Sequence, residues 1–374
     1  MSTLPNFDQA DRALSEARGF VELHAKHMGF DERRIPGLLD RITTLEGEGP
    51  SAWVSVFSGE ALAASSSGKP AEAANLFNLA RFPVSDSPAK VNAQRSAAQV
   101  FGEHIERIGQ GERRLVEIDG HQVSVLFRAA RSPKAGLLIL MGGIVSLKEQ
   151  WGAFLNLGHK LGCAVVIADF PGVGCNTLPY SRSAARIYGA IMDSVSDVCD
   201  VRQTMVIAPS FGGHLAMLHA NDDPRIRQII TIGAPIRAFF ERAAQCNSDE
   251  IPLITRVALA HAMGLAVPDL PEHLPPLSMQ PDELHRLQTP VLYIAAERDD
   301  IIPAAEWREV APQAPNLRLH SFDDVHGAPN NLRTVRLIIL AMLLRHSGHT
   351  LASRLLQSVL RLRFSVQPSL FHTL

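Results

Sequence analysis

The stretch 204–214, reading Thr-Met-Val-Ile-Ala-Pro-Ser-Phe-Gly-Gly-His, constrains this chain more than any other. A short β-branched, apolar run meets Ser210, which has Ala208 two residues before it and Gly212 two after. A helical pattern over 215–220 begins at once. This is how a nucleophile elbow reads: strand, sharp turn, helix, with the serine hydroxyl held out at the turn. Small neighbours are needed because strand and helix approach closely there. The usual pattern is Gly-x-Ser-x-Gly, and Ala208 replaces the first glycine without adding the bulk that would forbid the turn. Pro209 keeps Ala208 extended and falls at the strand's end, where a lost ladder hydrogen bond costs least. A plain strand-turn-helix with a turn serine would read the same locally, so the flanking sequence must separate the two.

At 374 residues the chain suits one large domain plus a smaller one. Hydrophobic residues make up 46% and charged residues 20%, which describes a soluble globular protein with ample material for a core. A formal net charge of -2 points to neither nucleic acid nor an anionic membrane as partner. Cys163, Cys175, Cys199 and Cys246 show no C-x-x-C spacing and read as reduced, buried thiols of a cytoplasmic protein. Residues 1–11 lack a basic region followed by an apolar core, so no signal peptide is expected. The longest unbroken apolar run, 337–344, is too short to span a bilayer.

Residues 1–108 carry helical periodicity over 8–28, 31–45, 71–80 and 87–108, and nothing in them looks chemical. His24, His27 and His104 have no carboxylate or cysteine at ligand spacing and read as surface or packed histidines. From 109 to 374 the texture is that of an α/β domain. Strands over 114–118 and 122–128 flank Asp119-Gly120, a hairpin signal. Buried-type strands at 136–141, 164–168, 226–232 and 291–295 alternate with helical patterns at 148–161, 184–198 and 304–310. A strand at 316–320 and a helix at 331–346 follow. This alternation predicts a mostly parallel sheet covered on both faces, with an antiparallel hairpin at its start. Residues 236–288 interrupt it, with a helix expected over 249–265 and a proline-rich connection over 268–276. An insertion there would lie over the carboxyl ends of the strands as a helical lid. The tail from 350 reads as helix to about 362.

A serine hydroxyl needs a positioned base, and the base needs a carboxylate to fix its tautomer. Where a nucleophile elbow supplies the serine, the chain order is serine, acid, histidine, with the last two in loops after late strands. The strand at 291–295 opens into an acidic loop in which Asp299 is the preferred acid and Asp300 the runner-up. His326 lies in the loop after the last strand and is preferred to His320, which sits in the strand pattern. Backbone donors for an oxyanion are expected from Phe211, at the helix start, and from Ile144, with Gly143 as alternative. Rival motifs fail. Gly172 and Gly174 follow a strand, but Thr177 stands where a dinucleotide fingerprint needs its third small residue. His214 and His219 lack the spacing and glutamate of a zinc-protease helix. No cofactor and no metal is expected.

The segment 112–346 resembles the α/β-hydrolase superfamily. The run Gly142-Gly143-Ile144-Val145-Ser146-Leu147-Lys148-Glu149, followed by Asp169-Phe170-Pro171-Gly172-Val173-Gly174, narrows the resemblance. It is similar to the group of fermentation-respiration switch proteins, 2,6-dihydroxypseudooxynicotine hydrolase and fungal polyketide-shortening pigment hydrolases, which also carry a helical N-terminal domain. The resemblance implies hydrolysis of a carbon–carbon bond beside a ketone, or of an ester, in an aromatic or polyketide-like small molecule of secondary metabolism. The alternative is a binding or regulatory protein on a hydrolase scaffold, a role that needs neither Ser210, Asp299 nor His326. Tyr180, Arg237, Glu241 and His261 are lid residues in reach of a substrate, with ordinary surface or packing the preferred reading of each. The N-terminal helices, with apolar faces to bury, are expected to pack on the hydrolase domain and help enclose the substrate; a second copy of the chain, in a homodimer, would serve equally.

Overall fold

The computed structural model describes residues 7–31, 33–245, 251–364, 366 and 370. The expectations for 1–6, Cys246, 249–250 and most of the tail beyond 364 lie outside the described residues. Among the described residues eight strands form one sheet: β1 (Glu112–Ile118), β2 (His121–Arg128), β3 (Gly136–Met141), β4 (Ala164–Ala168), β5 (Asp200–Ile207), β6 (Ile226–Ile232), β7 (Val291–Ala296) and β8 (Leu317–Phe322). Their order is β1-β2-β4-β3-β5-β6-β7-β8. The hairpin turns at Asp119 and Gly120, both at positive φ (49° and 79°), which matches the right-handed twist of the strands it joins. β2 also runs antiparallel to β4, and every later pairing is parallel. The strand order reverses between β3 and β5. In open α/β sheets that reversal opens a crevice at the carboxyl ends of the strands, and Ser210 follows β5 directly into it.

Alternation along each strand feeds two apolar layers. Leu137, Ile139 and Met141 of β3 join one, and Leu138 and Leu140 join the other. The second layer is closed by α6 (Ala153–Lys160), α13 (Leu332–His346) and α14 (Thr350–Phe364), together with Phe101 and Ile105 of α5 (Pro88–Arg107). The first layer contains α7 (Ile187–Ser194) and α8 (Phe211–Ala220). It also runs without interruption into the helices that precede the sheet: α1 (Phe7–Met28), α2 (Arg34–Leu39), α3 (Trp53–Ser66), α4 (Pro70–Ala80) and α5.

Several local expectations need correction. The helix expected over 31–45 is only Arg34–Leu39, after which the chain turns and Thr44 bridges to Ala52. The helix α3 has no counterpart in the sequence reading. Trp53, Val54, Val56 and Phe57 are all buried, so its first turn is apolar around most of its circumference and shows no stripe. The pattern over 148–161 divides into a 3-10 turn, Lys148–Trp151, and α6. Cys163 and Cys199 are buried free thiols, but Cys175 is only half-buried.

Between β6 and β7 the insertion forms α9 (Ala238–Gln245), α10 (Leu253–Met263), α11 (Leu270–His273) and α12 (Pro281–Arg286). Its proline-rich part is not a plain connection but three short helical turns, each with proline in the first turn, where the missing N–H costs nothing. Glu16 of α1 accepts a hydrogen bond from the Ile254 amide (3.1 Å), placing a carboxylate at the start of α10. The two helices thereby meet over the crevice. Among the described residues no single helix is long and apolar enough to cross a membrane.

Candidate active site

Ser210 occupies the turn between β5 and α8 at φ 54° and ψ -133°, a conformation that L-residues rarely adopt. Backbone bonds on both sides hold it there. The Ala208 amide donates to Ile230 (2.9 Å) and the Ser210 amide to Ile232 (2.8 Å), so β6 grips the chain through the turn. The Thr231 hydroxyl donates to the Ala208 carbonyl (2.7 Å). A Cβ on Gly212 would lie 2.6 Å from the Met141 carbonyl oxygen, and one on Gly213 would lie 2.1 Å from the Thr231 hydroxyl. These contacts explain why glycines follow Ser210. The amides of Gly212 and Gly213 are occupied by the carbonyls of Pro209 and Ser210, which leaves Phe211 as the amide at the helix start.

The loop after β7 places Asp299 under the loop after β8. His326 Nε2 lies 3.1 Å from Ser210 Oγ, and His326 Nδ1 lies 2.8 Å from Asp299 Oδ2. Asp299 Oδ1 accepts from the amides of Ile301 (2.9 Å) and Ile302 (2.8 Å), which fixes its carboxylate plane. Gly233, at φ 60°, clears the space: a Cβ there would stand 3.0 Å from His326 Cε1 and 3.2 Å from Asp299 Oδ2. Burial alone would depress the His326 pKa. The Asp299 charge, its hydrogen bond and the Asp300 charge outweigh burial and raise it above 6.5. Asp300 faces the crevice instead, and partial enclosure raises its carboxyl pKa. His320 stays in β8, with its ring against Phe322.

One residue that the sequence reading passed over shapes the histidine loop. Asp324 is fully buried and accepts from the amides of Val325 and Asn330 and from the side chains of Asn330 and Asn331. Burial would raise its pKa, but these donors together hold it below the usual carboxylate range. The doublets Asp323-Asp324 and Asn330-Asn331 were the available signal.

The turn after β3 brings Gly143 against the serine; a Cβ on Gly143 would be 2.9 Å from Ser210 Cβ. The turn itself is anchored by buried charge. Asp169 accepts from the Lys148 amide (2.7 Å), from Lys148 Nζ (2.8 Å) and from the Cys175 amide (3.0 Å). The two sequence runs 142–149 and 169–174 therefore hold each other in place. From the other side, the buried Arg81 donates to the carbonyl of Val145, next to Ile144.

A cavity of about 540 Å³ opens onto Ser210 and His326. Gly143, Ile144, Phe211 and Asp300 line it, together with Pro252 and Thr255 from the insertion. So does one face of α1: Arg12, Glu16, Phe20, Leu23, His24 and His27. Residues 1–108 show no chemical motif, yet their first helix forms part of the cavity wall. The signal was the spacing of three and four between these residues, which puts them on one side of the helix. His24 and His27, which read as surface or packed histidines, both lie in this wall. Burial lowers their pKa values to about 4 and about 3, so both are neutral. Tyr180, Arg237, Glu241 and His261 are not among the lining residues. Tyr180 bonds His214 (3.0 Å), which bonds the Leu277 carbonyl (2.8 Å) and ties α8 to the insertion. Arg237 pairs with Glu241 on its own helix (2.8 Å). Among the described residues no group of three or more His, Cys, Asp or Glu is placed to hold a metal ion.

No protein-family model matches the chain. Over 251 residues, 57% of this chain and 85% of the relative, it is 26% identical to a poly(3-hydroxyalkanoate) depolymerase of Ectopseudomonas oleovorans. The solved structure of AbyA5 superposes with a TM-score of 0.82 at 32% identity, covering 87% of this chain and 94% of that one. A 2,6-dihydroxy-pseudo-oxynicotine hydrolase has the same fold at 19% identity, with a TM-score of 0.60 over 74% of this chain and 82% of its own. With its mostly parallel sheet, its elbow after β5 and these relatives, the chain belongs to the α/β-hydrolase superfamily.

Proposed function

We propose that the chain is a serine hydrolase that forms an acyl-enzyme on Ser210 from an ester, or from a ketone whose neighbouring carbon–carbon bond breaks. The row Asp299–His326–Ser210, hydrogen-bonded at 2.8 and 3.1 Å, carries this reading. His326 Nε2 removes the hydroxyl proton as Ser210 Oγ attacks the carbonyl carbon. Asp299 keeps the Nδ1 tautomer and stabilises the imidazolium that results. The Phe211 amide, with that of Ile144 or Gly143, receives the oxyanion. The imidazolium then gives its proton to the leaving group, and water repeats the sequence to release the acid. The cavity wall is largely apolar, through Phe20, Leu23, Ile144, Val145, Trp151 and Ile301, and suits a hydrophobic small molecule. The depolymerase relative, by its name, acts on a polyester, which supports acyl transfer as the common chemistry.

The pH profile tests the base. A general base works only when neutral, so kcat/KM falls as pH drops through the His326 pKa. Because that pKa is raised, the ascending limb should have its midpoint above 6.5. Asp300→Asn removes one of the charges that raise it and should move the midpoint down. A limb centred below 6 in the wild type, unmoved by Asp300→Asn, would exclude His326 as the base.

A further inference from the structure

A chain of side-chain hydrogen bonds fixes the polarity of one wall of the cavity. Arg81 can only donate, and its Nε and one terminal nitrogen reach Asn78 Oδ1 at 3.1 and 3.0 Å. Asn78 must therefore turn its amide nitrogen outward, and Nδ2 donates to Gln150 Oε1 (3.1 Å). Gln150 Oε1 also lies 2.9 Å from His24 Nε2. An amide oxygen only accepts, so His24 carries its proton on Nε2. Both contacts hold Gln150 in one orientation, with its amide nitrogen on the remaining side.

That nitrogen is buried without a partner, and so is Nε1 of the adjacent Trp151. Both residues line the cavity that holds Ser210. The indole nitrogen flanks the turn after β3: a Cβ on Gly142 would lie 3.0 Å from it, one residue before the Gly143 that touches Ser210. Donors at a cavity wall without a protein acceptor need one from what fills the cavity, and two in consecutive wall residues offer a place where a ligand oxygen can take over from water.

We propose that Gln150 and Trp151 form a second oxygen-binding subsite, and that the substrate is a dicarbonyl compound whose second ketone or ester carbonyl accepts from Gln150 Nε2 and Trp151 Nε1. This rests on the reading of Ser210 as the nucleophile, which claims the first carbonyl. A carbonyl oxygen has two lone pairs for two donors. A hydroxyl would bring a proton of its own to a pair that only donates. A carboxylate would share the cavity with Glu16 and Asp300, of which Glu16 already pairs with Arg12, the one arginine among the lining residues. Arg81 acts at a distance, as the positioning residue that sets the direction of every bond in the chain.

The test compares phenyl esters of acids carrying a ketone at carbon 3 or carbon 5 with the same esters lacking it. Wild-type enzyme should prefer one of the keto esters by about 30-fold in kcat/KM. Trp151→Phe removes one donor and should reduce that preference to about threefold or less. Gln150→Glu keeps an oxygen facing Asn78 and His24 but replaces the free donor with an acceptor, and should reduce it at least as far. Because each ratio is measured on one preparation, loss of folded protein cancels. A wild-type preference near unity in both series, or one that survives both substitutions, would overturn the subsite. Failure of the nucleophile reading shows separately, as turnover of the plain ester by Ser210→Ala.

Discussion

Replacing Ser210 by alanine should lower kcat by roughly three to six orders of magnitude while leaving the protein folded. The substitution removes a single oxygen, and the backbone bonds that hold the turn come from amides, not from the hydroxyl. Alanine at φ 54° inherits the same strained backbone, so the variant should melt within a few degrees of wild type. His326 loses the partner of its Nε2 and nothing else. What turnover remains should come from the oxyanion donors and binding alone. Retention of more than a few per cent of wild-type activity in purified Ser210→Ala would place the nucleophile elsewhere.

The second large effect separates two adjacent carboxylates. Asp299→Asn should cost about 10⁴-fold in kcat, and Asp300→Asn less than about tenfold. The amides of Ile301 and Ile302 both point at Asp299 Oδ1. An asparagine there would keep its oxygen on those amides and turn its NH₂ toward His326 Nδ1. The imidazole would then accept at Nδ1 and carry its proton on Nε2, facing Ser210, where it is useless as a base. Asp300 makes no such contact with the imidazole and contributes only its charge. Comparable small losses from both substitutions would remove the acid from this loop.

Much of this was legible because the decisive patterns are local. The elbow, the acidic loop after β7 and the histidine loop after β8 are each a short run joined to a strand end, and strand ends are readable from apolar runs. The parallel sheet followed from alternation. What stayed hidden depends on contacts between distant segments. Arg81 looks like any residue at the end of a helix until its guanidinium is seen at Asn78 and the Val145 carbonyl. His24 looks idle until α1 is laid over the turn after β3, where its ring meets Gln150, a docking that Glu16 also secures at the start of α10. The helix α3 was missed for the opposite reason, since burial on most sides erases the periodicity that announces a helix.

Hidden parts and legible ones meet at the turn after β3. Lys148 and Asp169 pin it from within the sheet domain, and Arg81 pins it from the N-terminal helices. A buried ion pair of this kind adds little net stability, but loss of one partner leaves the other charge uncompensated. The turn that should hold the oxyanion is thus fixed by groups that never touch substrate.

Activation of Ser210 by His326 can be read out by covalent capture. The protein would be treated with a fluorophosphonate, its intact mass recorded, and the modified peptide sequenced by mass spectrometry. One adduct per chain is expected, located on Ser210 and forming at least about 100-fold more slowly in His326→Ala. An adduct on another residue, or unmodified Ser210 in a preparation that still turns over ester, would contradict Ser210 as the nucleophile.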